Sequence, residues 1–254
     1  MTRVLMLHGW DWEKYPVFNP KNQWQNRQEL LTELQKHYEV DYPSLPGFSR
    51  DDKYRTGYWT LDDYANWLQE KIVKQCYDAI IGYSFGCAVA TRWQYLHRNT
   101  SVPLVLLSPA IARAYDRSPN KILTTAASVL KRLPTKRLIF FLRKLYLTRV
   151  IKNPHVIHGT PFLRVTYSNI VSVDLSGELA RLIDTNYAIT CVFGSDDTAT
   201  PPEILFSRVP AAQPLSLVIS AGGHDIGSTH PRELVSHVVD FLNRLDLNHL
   251  KVSQ

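Results

Sequence analysis

Apolar residues fall along this chain in two rhythms. Short runs rich in β-branched and aliphatic residues, bounded by polar or turn residues, predict strands at Val4–Leu7, Tyr38–Tyr42, Ala79–Gly82, Pro103–Ser108, Ala188–Gly194 and Leu215–Ser220. Between them the apolar positions recur at helical spacing, over about Trp24–Lys36, Leu61–Lys74, Gly86–His97, Pro202–Phe206 and Pro231–Leu245. In the second of these, Leu61, Tyr64, Ala65, Leu68 and Ile72 form one stripe, and Thr60 stands where an N-cap is needed. Strands alternating with helices predict an α/β protein with a mostly parallel central sheet flanked by helices.

The rhythm breaks between Ala110 and Thr185, where helical patterns follow one another without a convincing strand. Pro134 is expected to end one helix and to stand near the start of the next, Thr135–Val150. The expected organisation is a core of residues 1–109 and 186–254 with a helical lid insertion at 110–185. An insertion at that point covers the carboxyl ends of the strands, where open α/β sheets bind ligands.

A chain of 254 residues fits one large α/β domain, and 44% apolar with 20% charged residues is the composition of a globular protein. No apolar run of 18 residues occurs, so neither a secretory signal nor a membrane span is expected. Cys76, Cys87 and Cys191 are too few and too scattered for a disulfide framework or a zinc site, which makes a cytoplasmic location the expectation. His155 and His158 stand three apart without further ligands, and no metal or other cofactor is expected.

Charge changes the picture in one region. Of the net +6, the segment from Ala110 to Lys152 holds +10, with eleven Lys/Arg against Asp116, and the remainder holds −4. Lys136–Arg137 and Arg143–Lys144 are seven residues apart and share a helix face, with Leu138, Phe141, Leu142 and Leu145 toward the other side. The plainest reading is a lid helix with solvated cations. A basic amphipathic helix also fits an anionic membrane surface, or an acidic partner such as an acyl carrier protein. No nucleic-acid module or phosphate-binding loop is present.

The chemistry is carried by DAIIGYSFGCAVA, Asp78–Ala90. An apolar strand passes through Gly82, Tyr83, Ser84, Phe85 and Gly86 into a helix, the G-x-S-x-G turn that holds a serine hydroxyl clear of a sheet. The small residues around Ser84 let strand and helix approach, and the helix N-terminus brings positive potential beside any oxyanion. An acyl-transfer serine also needs a base and an orienting acid. CVFGSDDTATP ends a buried strand with two acids, Asp196 and Asp197, and LVISAGGH ends the last strand at His224, with His230 a competitor before Pro231. Serine, acid and histidine follow in that order, as in an α/β-hydrolase and unlike chymotrypsin- or subtilisin-type enzymes.

Five segments in this order resemble the α/β-hydrolase superfamily over nearly the whole chain: LMLHGW for the oxyanion segment, YPSLPGF for the loop after the second strand, GYSFG, GSDDTATPP, and GGHDIGSTHPRELVSHVVDFL. The resemblance implies a helical lid and a serine esterase or thioesterase with no cofactor. It assigns Ser84 as nucleophile, His224 as base and Asp197 as acid, because the usual acid turn carries a proline four residues on, here Pro201. It assigns the backbone N–H groups of Trp10 and Phe85 to the oxyanion hole. Trp12 and Tyr83, with Trp10 and Phe85, are candidates for the substrate pocket. His8 is read as a structural ring fixing the oxyanion loop, and Asp225 as pointing away from the base.

Cys87 departs from the glycine often found after the elbow and is read as a small buried packing residue. A serine at the elbow sets the chain apart from the haloalkane dehalogenases and epoxide hydrolases of the fold, which use aspartate there. HGW and the helical lid are similar to carrier-protein methyl esterases of the superfamily, so the expected substrate is a small acyl ester or thioester, alone or on a carrier. A ligand-binding or receptor-like protein on a hydrolase scaffold is the alternative from another class.

Overall fold

The computed structural model describes residues 2–11, 23–49, 57–98, 102–112 and 154–252. The basic face of Lys136 to Lys144 and the helix expected over Thr135–Val150 lie outside the described residues, as does Trp12. Six strands form one sheet: β1 (Arg3–Leu7), β2 (Glu39–Asp41), β3 (Ala79–Tyr83), β4 (Leu104–Leu107), β5 (Ile189–Gly194) and β6 (Ser216–Ile219). Their order is β2-β1-β3-β4-β5-β6 and every pairing is parallel. All six expected strands are present; β1 and β3 are one residue longer than expected, and the other four are shorter by one residue at one or both ends.

The helices are α1 (Gln28–Gln35), α2 (Leu61–Gln75), α3 (Phe85–Leu96), α4 (Pro154–His158), α5 (Pro161–Ile170), α6 (Ser176–Asp184), α7 (Pro202–Arg208), α8 (Ile226–Thr229) and α9 (Pro231–Val252). A 3-10 turn, Gln25–Arg27, precedes α1, so the helix expected from Trp24 starts four residues later. Thr60 caps α2 as expected: its hydroxyl accepts from the Asp63 N–H while the Asp63 carboxylate accepts from the Thr60 N–H at 2.7 Å. Among the described residues no helix is long and apolar enough to cross a membrane.

Period-two alternation divides the strands between two cores. Leu5, Leu7, Ile80, Leu104, Leu106, Cys191 and Phe193 pack with α2, α3, α5, α6 and α7. Val4, Met6, Ala79, Ile81, Tyr83, Val105, Leu107 and Val192 pack on the other face with α1, α8 and α9. Both faces of β1, β3, β4 and β5 are covered, which is why these strands read as continuous apolar runs, whereas the edge strands β2 and β6 remain partly exposed.

The last helix within the expected 110–185 insertion, α6, packs against the body of the protein. α6 buries Leu179 and Leu182 in the same core as α2 and α3, and its Glu178 pairs with Arg92 of α3. It belongs to the helical layer of the body, and an amphipathic stripe alone cannot tell which layer it will join. α5 lies instead over the loops at the carboxyl ends of the strands. Its Thr166 hydroxyl accepts from the Trp59 N–H at 2.9 Å, and its Tyr167 ring meets Trp10.

The strand order sets where a site can form. From β1 the chain leaves toward β2 on one side, and from β3 toward β4 on the other. The loops after β1 and β3 therefore diverge and leave a crevice between neighbouring strands. The start of α3 comes so close to β1 that a Cβ on Gly86 would lie 2.1 Å from the Leu7 carbonyl oxygen, so only glycine fits. Gly86→Ala is expected to cost about 3 kcal/mol or more, in the upper range for overpacking. Gly177→Ala, where a Cβ meets nothing within 4 Å, should leave stability unchanged or slightly raised. Thermal and urea denaturation of the two variants checks the contrast.

Candidate active site

At the carboxyl end of β3 the backbone turns sharply through Ser84, at φ 50° and ψ −107°. A non-glycine residue there costs on the order of 1–3 kcal/mol and persists only where its surroundings enforce it. Three bonds do so: Ser84 N–H donates to the Leu107 carbonyl at 2.8 Å, and the Ser84 carbonyl accepts from Cys87 at 3.1 Å and Ala110 at 3.3 Å. The loop after β1 closes on the serine from the side. A Cβ on Gly9 would stand 3.7 Å from the Ser84 hydroxyl oxygen.

The structure brings the three sequence candidates together. Ser84 Oγ lies 3.0 Å from His224 Nε2, and His224 Nδ1 lies 2.8 Å from Asp197 Oδ2. Asp197 is fully buried at its side chain, whereas about a third of the His224 side chain is exposed. The carboxylate also accepts the N–H groups of Ala199 and Thr200, both at 2.8 Å, and the Thr200 hydroxyl at 2.7 Å. Burial pushes its pKa up, but the bonds from His224 and Thr200 win and hold it down at about 2. An ionised Asp197 fixes the histidine tautomer with the proton on Nδ1, leaving the Nε2 lone pair toward Ser84. The acid turn and histidine loop are held backbone to backbone, with Asp196 N–H donating to the Gly222 carbonyl at 2.8 Å.

The competitors fall away. Asp196 is exposed and accepts the Ser195 hydroxyl at 2.8 Å, while His230 bonds Thr229 beyond the short helix α8. Cys87 is fully buried, its thiol donates to the Leu107 carbonyl at 3.3 Å, and burial raises its pKa, so it packs as expected. Tyr83 needs correction as a pocket candidate. It is 1% exposed and faces the α1 and α9 side of the sheet beside Trp24, because alternation along β3 puts it with Ala79 and Ile81.

Trp10 and Phe85 do meet at the site. The Trp10 ring stands edge-on to Phe85 at 5.0 Å and to Phe48 at 4.9 Å, and tilts over Tyr167 at 5.7 Å. Phe85 opens α3, so its N–H lies at the positive end of that helix. His155 stacks on Tyr167 at 4.2 Å, and burial lowers its pKa to about 4. Among the described residues no group of three or more His, Cys, Asp or Glu is arranged to hold a metal.

Sequence reasoning passed over Thr200, Ser108 and Arg27. Thr200 bridges acid and base, its hydroxyl 3.3 Å from His224 Nδ1, and its place three residues after Asp197 was a readable signal. Ser108 and Arg27 reach the histidine loop from 116 and 198 residues away, a relation no local pattern carries.

A family model described as the alpha/beta hydrolase family matches residues 4–237. No curated protein matches the chain. Among solved structures, a serine hydrolase involved in carbazole degradation is 18% identical, with a TM-score of 0.61 over 96% of this chain and 91% of that one. The enol-lactonase from Burkholderia xenovorans LB400 is 15% identical, with a TM-score of 0.61 over 96% and 92%. A thioesterase domain from the curacin biosynthetic pathway is 18% identical, with a TM-score of 0.57 over 94% and 91%. At these identities the likeness carries the fold alone.

His8 holds the loop beside Ser84 in place. Its Nε2 accepts the Leu45 N–H at 2.8 Å and its Nδ1–H donates to the Gly9 carbonyl at 2.8 Å, so both nitrogens are used by the neutral ring. Burial outweighs the Gly9 bond and lowers its pKa from 6.5 to about 4. A histidine with a depressed folded pKa contributes stability in full above 6.5 and loses it as pH falls toward 4, here on the order of 3 kcal/mol. Asp197, also depressed, loses its contribution only lower, as pH falls from 3.8 through about 2. Urea denaturation at about pH 7 and about pH 4.5 should therefore show a smaller acid loss for His8→Gln, whose amide can make both bonds without titrating. An equal loss in the two proteins would contradict the assignment.

Proposed function

Since the chain belongs to the alpha/beta hydrolase family, we propose that it is a serine hydrolase cleaving a carboxylic ester or thioester through an acyl-enzyme. The observation that carries this reading is the unbroken line from Ser84 Oγ through His224 to Asp197, at 3.0 and 2.8 Å, ending on a carboxylate held ionised by four hydrogen bonds. Two of the similar structures are named for acyl hydrolysis, an enol-lactonase and a thioesterase domain, which is in keeping with it.

Ser84 Oγ attacks the acyl carbonyl as its proton passes to His224 Nε2. The tetrahedral oxyanion is held by the backbone N–H groups of Trp10 and Phe85, each donor worth about 10²–10³ in rate at sites of this kind. Asp197 stabilises the imidazolium. The imidazolium then gives its proton to the departing alcohol or thiol, and the acyl group remains as an ester on Ser84. Water, deprotonated by His224, attacks that ester and releases the acid, returning the proton to Ser84. The strained Ser84 backbone keeps the hydroxyl facing the crevice between β1 and β3 throughout.

A fluorophosphonate probe, which phosphonylates activated serines, tests this directly. The native protein should label, Ser84→Ala should not, and Asp197→Asn should label about 10³–10⁴-fold more slowly. Asp196→Asn should stay within a few-fold of native. Labelling of Ser84→Ala at the native rate would overturn the reading.

A further inference from the structure

The main chain of His224 is tied to the strand that carries the nucleophile, and the tie is made of side chains outside the triad. The His224 carbonyl oxygen accepts two hydroxyls, Tyr83 Oη–H at 2.9 Å and Ser108 Oγ–H at 2.9 Å, with Asp225 Oδ1 a second, longer acceptor for the Tyr83 hydrogen at 3.2 Å. Tyr83 is the residue before Ser84 at the end of β3, and Ser108 follows the end of β4. Both are buried, at 1% and 0% exposed. The same Tyr83 oxygen accepts the Gly227 N–H at 3.2 Å, so one phenol holds the histidine loop on both sides of Asp225. Burial raises the Tyr83 pKa, so the hydroxyl remains a donor.

Behind this contact stands Arg27. Its guanidinium lies over the Tyr83 ring at 4.3 Å, and its Nε donates to Asp225 Oδ1 at 2.6 Å. The Arg27 side chain is only 10% exposed. A buried cation between an aromatic face and a carboxylate is costly to assemble and leaves Asp225 little freedom to swing. Asp225, the residue after the base, is thereby used to anchor the loop and takes no part in the Asp197 side of the relay.

On the triad reading, we propose that Tyr83 and Ser108 are positioning residues: by clamping the His224 carbonyl to the ends of β3 and β4 they set the distance between base and nucleophile. The imidazole hangs from a loop that runs through Gly222 and Gly223, a stretch with little side-chain packing of its own. A small displacement of a reacting group costs rate steeply, so the base needs a fixed point near its own Cα. Two donors on one acceptor back each other up, and loss of either leaves the other in place. The effect of losing both should therefore exceed the product of the single losses.

Tyr83→Phe, Ser108→Ala and the double variant test the clamp, because they remove hydroxyls and keep the ring and the stacked Arg27; Tyr83→Phe also gives up the Gly227 bond, which Ser108→Ala leaves in place. The readout is fluorophosphonate inactivation resolved into the maximal rate, kinact, and the probe affinity, KI, with melting curves alongside. Each single variant is expected to lower kinact about three- to fivefold with KI within about twofold, and the double about fiftyfold or more. A role in packing alone would lower the melting temperature and leave kinact of the folded protein untouched. Unchanged kinact in both single variants overturns the clamp, even if the double does not fold. A double variant whose loss equals the product of the single losses overturns the mutual backup. Native protein that does not label overturns the triad reading beneath it, so the two failures are distinguishable.

Discussion

A serine at φ 50° cannot hold itself there; something must keep the backbone from relaxing. What does so is the close approach of two parallel strands and the helix that follows the second. β1 and β3 are hydrogen-bonded neighbours, the Leu7 carbonyl presses on the place where a Gly86 side chain would be, and the Ser84 amide is bonded across to β4. The connections from β1 and β3 then run to opposite sides of the sheet, so the strained residue faces an opening and not a packed loop. The position of the hydroxyl is thus a consequence of sheet order and of a few absent side chains.

Around that point the electrostatics are arranged to keep each group in one protonation state. Asp197 is ionised although buried, because four donors meet its two oxygens. His8 is neutral although a histidine, because burial and a backbone N–H on its lone pair exclude the second proton. The fixed groups leave one imidazole, that of His224, with a lone pair facing a hydroxyl and a third of its side chain open to solvent. In the proposed reaction the proton passes from Ser84 to His224, and the backbone N–H groups of Trp10 and Phe85 donate to the oxyanion that forms.

Much of this was legible in the sequence, for reasons of locality. Strands buried on both faces announce themselves as apolar runs, and Ser84, the acid pair and His224 each stand on the turn that follows a strand, within five residues of its end. The proline four residues on pointed to Asp197 over Asp196, but not to the reason: adjacent residues of one turn point opposite ways, one into four donors and one toward Ser195 and solvent. Tyr83 stands beside the nucleophile in sequence, but the alternation of β3 puts its ring on the far face with Ala79 and Ile81. Arg27 and Ser108 could not be read at all. Their contacts with the histidine loop exist only after distant segments of chain have folded together.

The proposed chemistry needs Ser84 to face two backbone amides with His224 behind it. A crystal structure of the protein phosphonylated by a small fluorophosphonate examines that arrangement in one measurement, since the tetrahedral phosphorus stands in for the acyl intermediate. The expected result is a covalent bond to Ser84 Oγ with the phosphoryl oxygen within about 3 Å of the N–H groups of both Trp10 and Phe85. His224 Nε2 should still be bonded on the serine side and Asp197 unmoved. A phosphoryl oxygen turned to solvent, or an adduct on any other residue, would contradict that chemistry.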